Sequence, residues 1–297
     1  VRTHPLYRCF VATVLVVLAG CASAPAADTG RTAAPTPRVT MSLPTASIDP
    51  QEPGMRTIAH DDHPDTVLDL HVPAGARSGV TVVLVHGGFW REEYRRDLMT
   101  PLVPSLLAQG HVVANLEYRR VGGAGGWPTT LADVAAGVDA LADVEVVDPD
   151  RVVTVGHSAG GHLAVWAAVR HLLPPDAPGA DPVVRPCAAV SQAGVLDLAG
   201  ASGLGAGAVE ALLGGTSEDR LDVADPSRLL PAGVPVVLVH GADDEIVPLA
   251  QSEAYLAAAT AAGDAPLLLV GPGGHFSVID PAHDRWADVV AVLPELC

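Results

Sequence analysis

Aromatic side chains are scarce in this 297-residue chain. Phe, Trp and Tyr together supply 4% of it against 49% hydrophobic residues overall, so a core has to be assembled from Val, Leu and Ala. Positive charge is scarce as well: 17 Lys and Arg stand against 34 Asp and Glu, a formal net charge of −17. Such a surface repels nucleic-acid phosphates and does not adhere unaided to anionic lipid. The N-terminal apolar run, Phe10 to Leu18, is too short for an ordinary membrane-spanning helix. What remains is a chain long enough for one large α/β domain or two small ones.

The first segment reads as an export signal. Arg2 and Arg8 precede the apolar run, and Leu18-Ala19-Gly20-Cys21 follows it. That ending resembles the bacterial lipobox, in which the cysteine, here Cys21, becomes the lipidated N-terminus after cleavage. An ordinary secretory signal cut near Ala22-Ser23-Ala24 is the alternative. Either reading implies export, and a lipid anchor on the outer face of the cytoplasmic membrane would be the sole membrane contact. Residues 22–53 are rich in Ala, Thr, Pro and Ser without apolar periodicity, the composition of a disordered tether. The expected organisation is therefore a signal over 1–21, a tether over 22–53 and a catalytic domain over 54–297.

Within that domain one stretch organises the rest. Arg151 to Val155 is a β-branched run, His162 to Val169 has apolar residues at helical spacing, and Gly156-His157-Ser158-Ala159-Gly160-Gly161 lies between them. Strand, Gly-x-Ser-x-Gly and helix form a nucleophile elbow, whose tight turn lifts the Ser158 hydroxyl above the sheet edge. The helix N-terminus behind the serine favours developing negative charge. Further along, Leu267 to Val270 reads as the last strand, and Gly271-Pro272-Gly273-Gly274-His275 follows it. A histidine on a glycine loop there is the candidate general base, and a Ser-to-His order suits it. His86, His111, His157, His162 and His240 read as packing residues or lack the reach.

The remaining pattern alternates strands and helices. Arg56–His60 and Thr66–Val72 suggest a hairpin whose turn, His60 to Asp65, reads as a turn rather than a metal site. Strands are expected at Val80–Val85, His111–Leu116, Cys187–Gln192 and Val234–Val239, and helices at 98–109, 130–144, 208–213 and 249–262. Gly122 to Gly126 lacks a helix at the place a dinucleotide loop requires, so it reads as a flexible rim of the pocket. Residues 198–230, rich in Gly and Ala at 200–207, are the candidate lid.

With His86-Gly87-Gly88-Phe89-Trp90 after the Val80–Val85 strand, the chain resembles the esterase/lipase branch of the α/β-hydrolase superfamily. That branch includes the hormone-sensitive-lipase-like enzymes with His-Gly-Gly-Gly. The chain is more similar still to the arylformamidase (kynurenine formamidase) type, whose motif is His-Gly-Gly-x-Trp. The likeness extends over about residues 55–297 and includes Asn115 to Arg120, Trp127-Pro128 and Asp133.

The resemblance implies a mostly parallel central sheet with helices on both faces and a small lid insertion. It implies an oxyanion hole from the N–H groups of Gly88, Phe89 and Ala159, and Arg119 with Asp133 as a brace. Its pattern His-Gly-x-x-Asp-x-x-Val-Pro maps the triad acid to Asp244 in His240 to Pro248, with the adjacent Asp243 open as the alternative. No cofactor and no metal are implied, and the expected partner is a small-molecule ester or acyl substrate. Carboxylic ester hydrolysis is the first reading; arylformamidase or serine peptidase activity, and a non-catalytic binding protein on the same scaffold, are the others. Phe89 and Trp90 are expected to form one apolar wall, with the small residues of 200–207 opposite. Cys9 and Cys21 belong to the signal, which leaves Cys187 and Cys297 as a candidate disulfide in an oxidising exterior.

Overall fold

The computed structural model describes residues 53–215 and 217–297. The export signal, Cys21 and nearly all of the expected tether lie outside the described residues. Among the described residues eight short runs, most of them rich in Val, Leu and Ala, pair into one sheet, ordered β1-β2-β4-β3-β5-β6-β7-β8. They are β1 Gly54–Ala59, β2 Val67–Val72, β3 Thr81–Val85, β4 Val112–Leu116, β5 Val152–His157, β6 Ala188–Gln192, β7 Val236–Gly241 and β8 Leu267–Gly271. β1, β2 and β4 pair antiparallel, and every other pairing is parallel. All residues of β3 to β7 are buried, as expected for parallel strands covered on both faces.

Among the described residues the cover comes from seven α-helices: α1 Val103–Ala108, α2 Thr129–Asp139, α3 Ala159–Val169, α4 Ala208–Leu213, α5 Glu218–Ala224, α6 Ala250–Ala261 and α7 Asp284–Val292. Strand alternation divides the core in two. Val82 and Leu84 of β3 join α1, α7 and Trp286 on one face, while Val83 and Val85 join α2, α3 and α6 on the other. All eleven residues of α3 are buried. This matches an apolar helix enclosed by the sheet, α2 and the 198–230 segment.

Three boundaries differ from the sequence expectation. The helix expected at 98–109 begins only at Val103, after 3-10 turns at Arg96–Leu98 and Thr100–Leu102. Pro101 and Pro104 remove two backbone donors there, which an α-helix tolerates only in its first turn. The helix expected to run to Val144 tightens into a 3-10 turn over Ala140–Asp143. Residues 198–230 hold two helices rather than one. The second, α5, starts with Ser217 followed by Glu218 and Asp219, a start signal the composition of the neighbouring glycine run obscured.

Chain order explains where a site can form. β3 lies between β4, which follows it, and β5, which comes later. The connections leaving β3 and β5 therefore diverge to opposite faces and open a crevice at the carboxyl ends of these strands. At the amino end of the sheet, Cys187 just before β6 is bonded to Cys297, with Cα atoms 5.9 Å apart across 110 residues of sequence.

Candidate active site

Ser158 is the single residue between β5 and α3, with φ 57° and ψ −119°. A side chain in that region costs on the order of 1–3 kcal/mol and persists only where its surroundings enforce it. Here they do. A Cβ on Gly156 would meet the carbonyl of Gly160, and one on Gly160 would meet the carbonyls of Val85 and His86. The Ser158 N–H donates to the Gln192 carbonyl at 2.8 Å, and its own carbonyl accepts from Gly161 at 2.9 Å.

The loop leaving β3 lies alongside. Gly88 has φ +109°, and Phe89 and Trp90 follow at 53° and 56°. Among the described residues no hydrogen-bond acceptor meets the backbone N–H of Gly88, Phe89 or Ala159. Three free donors near one serine can receive a developing oxyanion. Trp90 does not form a wall with Phe89, contrary to expectation. Its backbone turns the side chain inward, where it is 1% exposed and its indole N–H donates to His162 Nδ1 at 3.2 Å.

Beneath the loop lies a polar group that sequence reasoning did not assemble. His86 Nε2 meets the Glu117 carboxylate at 2.8 Å, and its Nδ1 meets the Gly87 carbonyl at 2.8 Å. Tyr118 stacks on the His86 ring at 4.2 Å and donates its hydroxyl proton to the His86 carbonyl. Burial alone would raise the Glu117 carboxyl, yet the His86 hydrogen bond and the Arg120 guanidinium hold it below the usual range. Glu117 stood within the quoted Asn115–Arg120 stretch, but nothing local linked it to a histidine 31 residues away. Arg119 and Asp133 do pair, the guanidinium Nε donating to the carboxylate at 2.8 Å.

The loop after β8 carries His275, and the turn after β7 carries two aspartates. His275 Nδ1 donates to Asp244 Oδ2 at 2.7 Å. The Asp244 side chain is buried, and its other oxygen accepts from the N–H groups of Ile246 and Val247 at 2.9 Å each. Burial would raise this carboxyl. The hydrogen bonds from His240, His275 and Val247 outweigh burial and hold it far below the usual carboxylate range. Asp243 is exposed and accepts instead from the Gly273 N–H at 3.1 Å. The geometry thus gives His275 to Asp244 and leaves Nε2 to face the cavity.

Ser158 and His275 line one cavity of about 90 Å³. Its walls are Phe89, Tyr94, Leu98, Ile246 and Phe276, with Gly88 and His157 completing it. None of the described residues of 198–230 lines it, and neither does the Gly122–Gly126 turn expected at its rim. From that segment Gly205 packs against the Phe89 ring, and its carbonyl accepts from Arg91. Among the described residues no group of three or more His, Cys, Asp or Glu side chains is placed to hold a metal ion.

Comparison with known proteins agrees with this architecture. The profile of one family, BD-FAE, matches residues 68–258. The chain belongs to the BD-FAE family. Esterase LipQ of Mycobacterium tuberculosis is 30% identical over 207 residues, which are 65% of this chain and 48% of that protein. Kynurenine formamidase avaC of Aspergillus versicolor is 25% identical over 213 residues, 59% of this chain and 73% of that one. The chain spans about half the length of the mycobacterial esterase. Among solved structures, a truncated carbohydrate esterase from gut microbiota superposes with a TM-score of 0.72 at 19% identity, covering 84% of this chain and 98% of that one. Esterase B of Lactobacillus rhamnosis superposes at 0.67 with 23% identity, covering 82% and 83%. At these identities the structural likeness speaks for the fold, and that fold is the α/β-hydrolase fold.

Proposed function

We propose that this BD-FAE member is a serine hydrolase that cleaves carboxylic esters of small molecules through an acyl-enzyme. One observation carries the reading: Ser158 in its strained turn and His275, paired with Asp244, open onto the same small cavity. Ser158 Oγ attacks the acyl carbon while His275 Nε2 takes its proton. The N–H groups of Gly88, Phe89 and Ala159 receive the oxyanion. The intermediate collapses, His275 returns the proton to the leaving alcohol oxygen, and water repeats the sequence to release the acid. Asp244 fixes the His275 tautomer and stabilises the imidazolium.

The cavity favours a short acyl chain, since its walls are apolar and its volume is small. The side chains lining it include no carboxylate, lysine or arginine to pair with an amino-acid or peptide end. Arylformamidase activity is the second reading, supported by His86-Gly87-Gly88-Phe89-Trp90 and by the likeness to the Aspergillus formamidase. The test is kcat/KM for p-nitrophenyl acetate, butyrate and octanoate against N-formylkynurenine and a chromogenic dipeptide amide. The ester reading expects acetate or butyrate to lead; a nitrogen-containing substrate ahead of every ester would overturn it.

For location, we propose an exported lipoprotein held at the outer face of the cytoplasmic membrane. The support is Arg2, Arg8, the apolar run and Leu18-Ala19-Gly20-Cys21. Metabolic labelling with an alkyne fatty acid should mark the wild type and not Cys21→Ala. Label retained in that variant would refute the anchor.

A further inference from the structure

The oxyanion loop has to hold three consecutive left-handed residues, Gly88, Phe89 and Trp90, and two of them bear aromatic side chains. Backbone in this state does not hold itself in place, so some contact has to set where the free N–H groups point. The backbone neighbours fix the far end: the Val121 N–H donates to the Trp90 carbonyl at 2.8 Å. The side chain of Trp90 supplies a second tie. It enters the interior edge-on to His162, with ring centroids 5.3 Å apart and planes at 85°.

His162 lies on α3, four residues after Ser158. It is fully buried, and both its nitrogens are engaged: Nδ1 accepts from the Trp90 indole, and Nε2 donates to the Ala224 carbonyl at 2.8 Å. An indole N–H only donates and a carbonyl only accepts, so the ring must be the neutral Nε2–H tautomer. Burial keeps it neutral, pushing the imidazole down to about 4. The nucleophile helix, the oxyanion loop and the end of α5 therefore meet at one imidazole.

We propose that Trp90 and His162 are positioning residues for the oxyanion hole: the indole-to-Nδ1 hydrogen bond sets the Gly88 and Phe89 N–H groups relative to Ser158 and Ala159. The inference rests on the serine-hydrolase reading. It gives the tryptophan of His-Gly-Gly-x-Trp a role away from the substrate, and it makes α3 a rail shared by nucleophile and oxyanion donors. Misplacing these donors raises the barrier without weakening ground-state binding, because the oxyanion exists only on the reaction path.

The test uses Trp90→Phe, which keeps a ring but loses the donor, with His162→Gln and His162→Asn. Asn places an acceptor where Nδ1 stands; Gln places a donor where Nε2 stands and leaves the indole without a partner. In the full chain, kcat for p-nitrophenyl acetate should fall roughly 10- to 100-fold in Trp90→Phe and His162→Gln, with KM nearly unchanged. Affinity for phenylboronic acid, which adds to the serine and fills the oxyanion hole, should fall by a similar factor. His162→Asn should recover most of the loss, and Trp90→Phe with His162→Gln should be no worse than either alone. An unchanged kcat in folded Trp90→Phe, or His162→Asn no better than His162→Gln, overturns the proposal. Should the variants not fold, nitrogen-15 NMR of wild-type His162 decides: the Nε2–H tautomer with a hydrogen-bonded indole N–H upholds it, and the Nδ1–H tautomer refutes it. A wild type that neither hydrolyses the ester nor takes a fluorophosphonate at Ser158 would instead remove the hydrolase reading itself.

Discussion

The two ends of the sheet are built on different terms. At the carboxyl end, Ser158, Phe89 and Trp90 all adopt left-handed backbone, and the imidazoles of His86, His157, His162, His240 and His275 are buried around them. At the amino end, the Cys187–Cys297 bond closes the chain, and a cavity of about 410 Å³ opens between the starts of β7 and β8 and α6. That cavity is several times larger than the one at Ser158, yet Tyr255 and Asp264 are its only side chains with chemistry to offer. Size does not mark the site. Strain and buried polar pairs do, because they are tolerated only where surrounding structure over-determines them.

If that contrast holds, substitutions at the carboxyl end should remove activity while leaving the fold. Ser158→Ala should lower turnover by on the order of 10⁶-fold and abolish fluorophosphonate labelling, with little change in melting temperature. Labelling at another serine would break the comparison at its centre. Asp244→Asn should lower kcat by roughly 10⁴-fold through the wrong His275 tautomer, while Asp243→Asn stays within a few-fold. Equal effects in the two variants would deny the pairing of Asp244 with His275.

The amino end should answer in stability alone. Cys297→Ser should cost roughly 2–4 kcal/mol of unfolding free energy in urea and leave kcat/KM intact, since the bond closes a long loop far from Ser158. A loss of activity in still-folded protein would show the two ends to be coupled.

A smaller effect links burial at the carboxyl end to pH. Burial pushes His157 down to about 3 and His162 to about 4. Unfolded histidine takes up a proton below about 6.5, whereas these two stay neutral in the fold, so the unfolded state binds more protons as pH falls. Stability should therefore drop between pH 6.5 and 4, by up to about 1.4 kcal/mol per pH unit for each imidazole. Asp244 adds its share only lower, below about pH 4, where unfolded aspartate protonates and the native carboxylate does not. Denaturant titrations should find the slope in His162→Asn shallower by one proton, and an identical slope would contradict its buried neutral state. The least effect belongs to the rim: Phe276→Ala, at a side chain 56% exposed, should raise KM a few-fold and barely move kcat.

Much of this was legible in the amino-acid order because it is local. β3, β5 and β7 appear as Val-rich runs since both faces of each strand are covered. The elbow is legible because strand, Gly-x-Ser-x-Gly and helix are contiguous, and His275 because its glycine loop follows directly on β8. Tertiary structure decided what depends on direction and long-range register. Asp243 and Asp244 are neighbours in one acidic turn, and only the approach of the β8 loop gives His275 to one and the Gly273 N–H to the other. Glu117 meets His86 because β3 and β4 pair in parallel and end together, with Val85 beside Leu116. Trp90 goes inward rather than into the cavity because a left-handed backbone at Phe89 and Trp90 reverses the alternation that sequence spacing implies. Periodicity encodes which face of an element is buried, whereas the partner of a buried polar group is chosen only when separate elements are brought together.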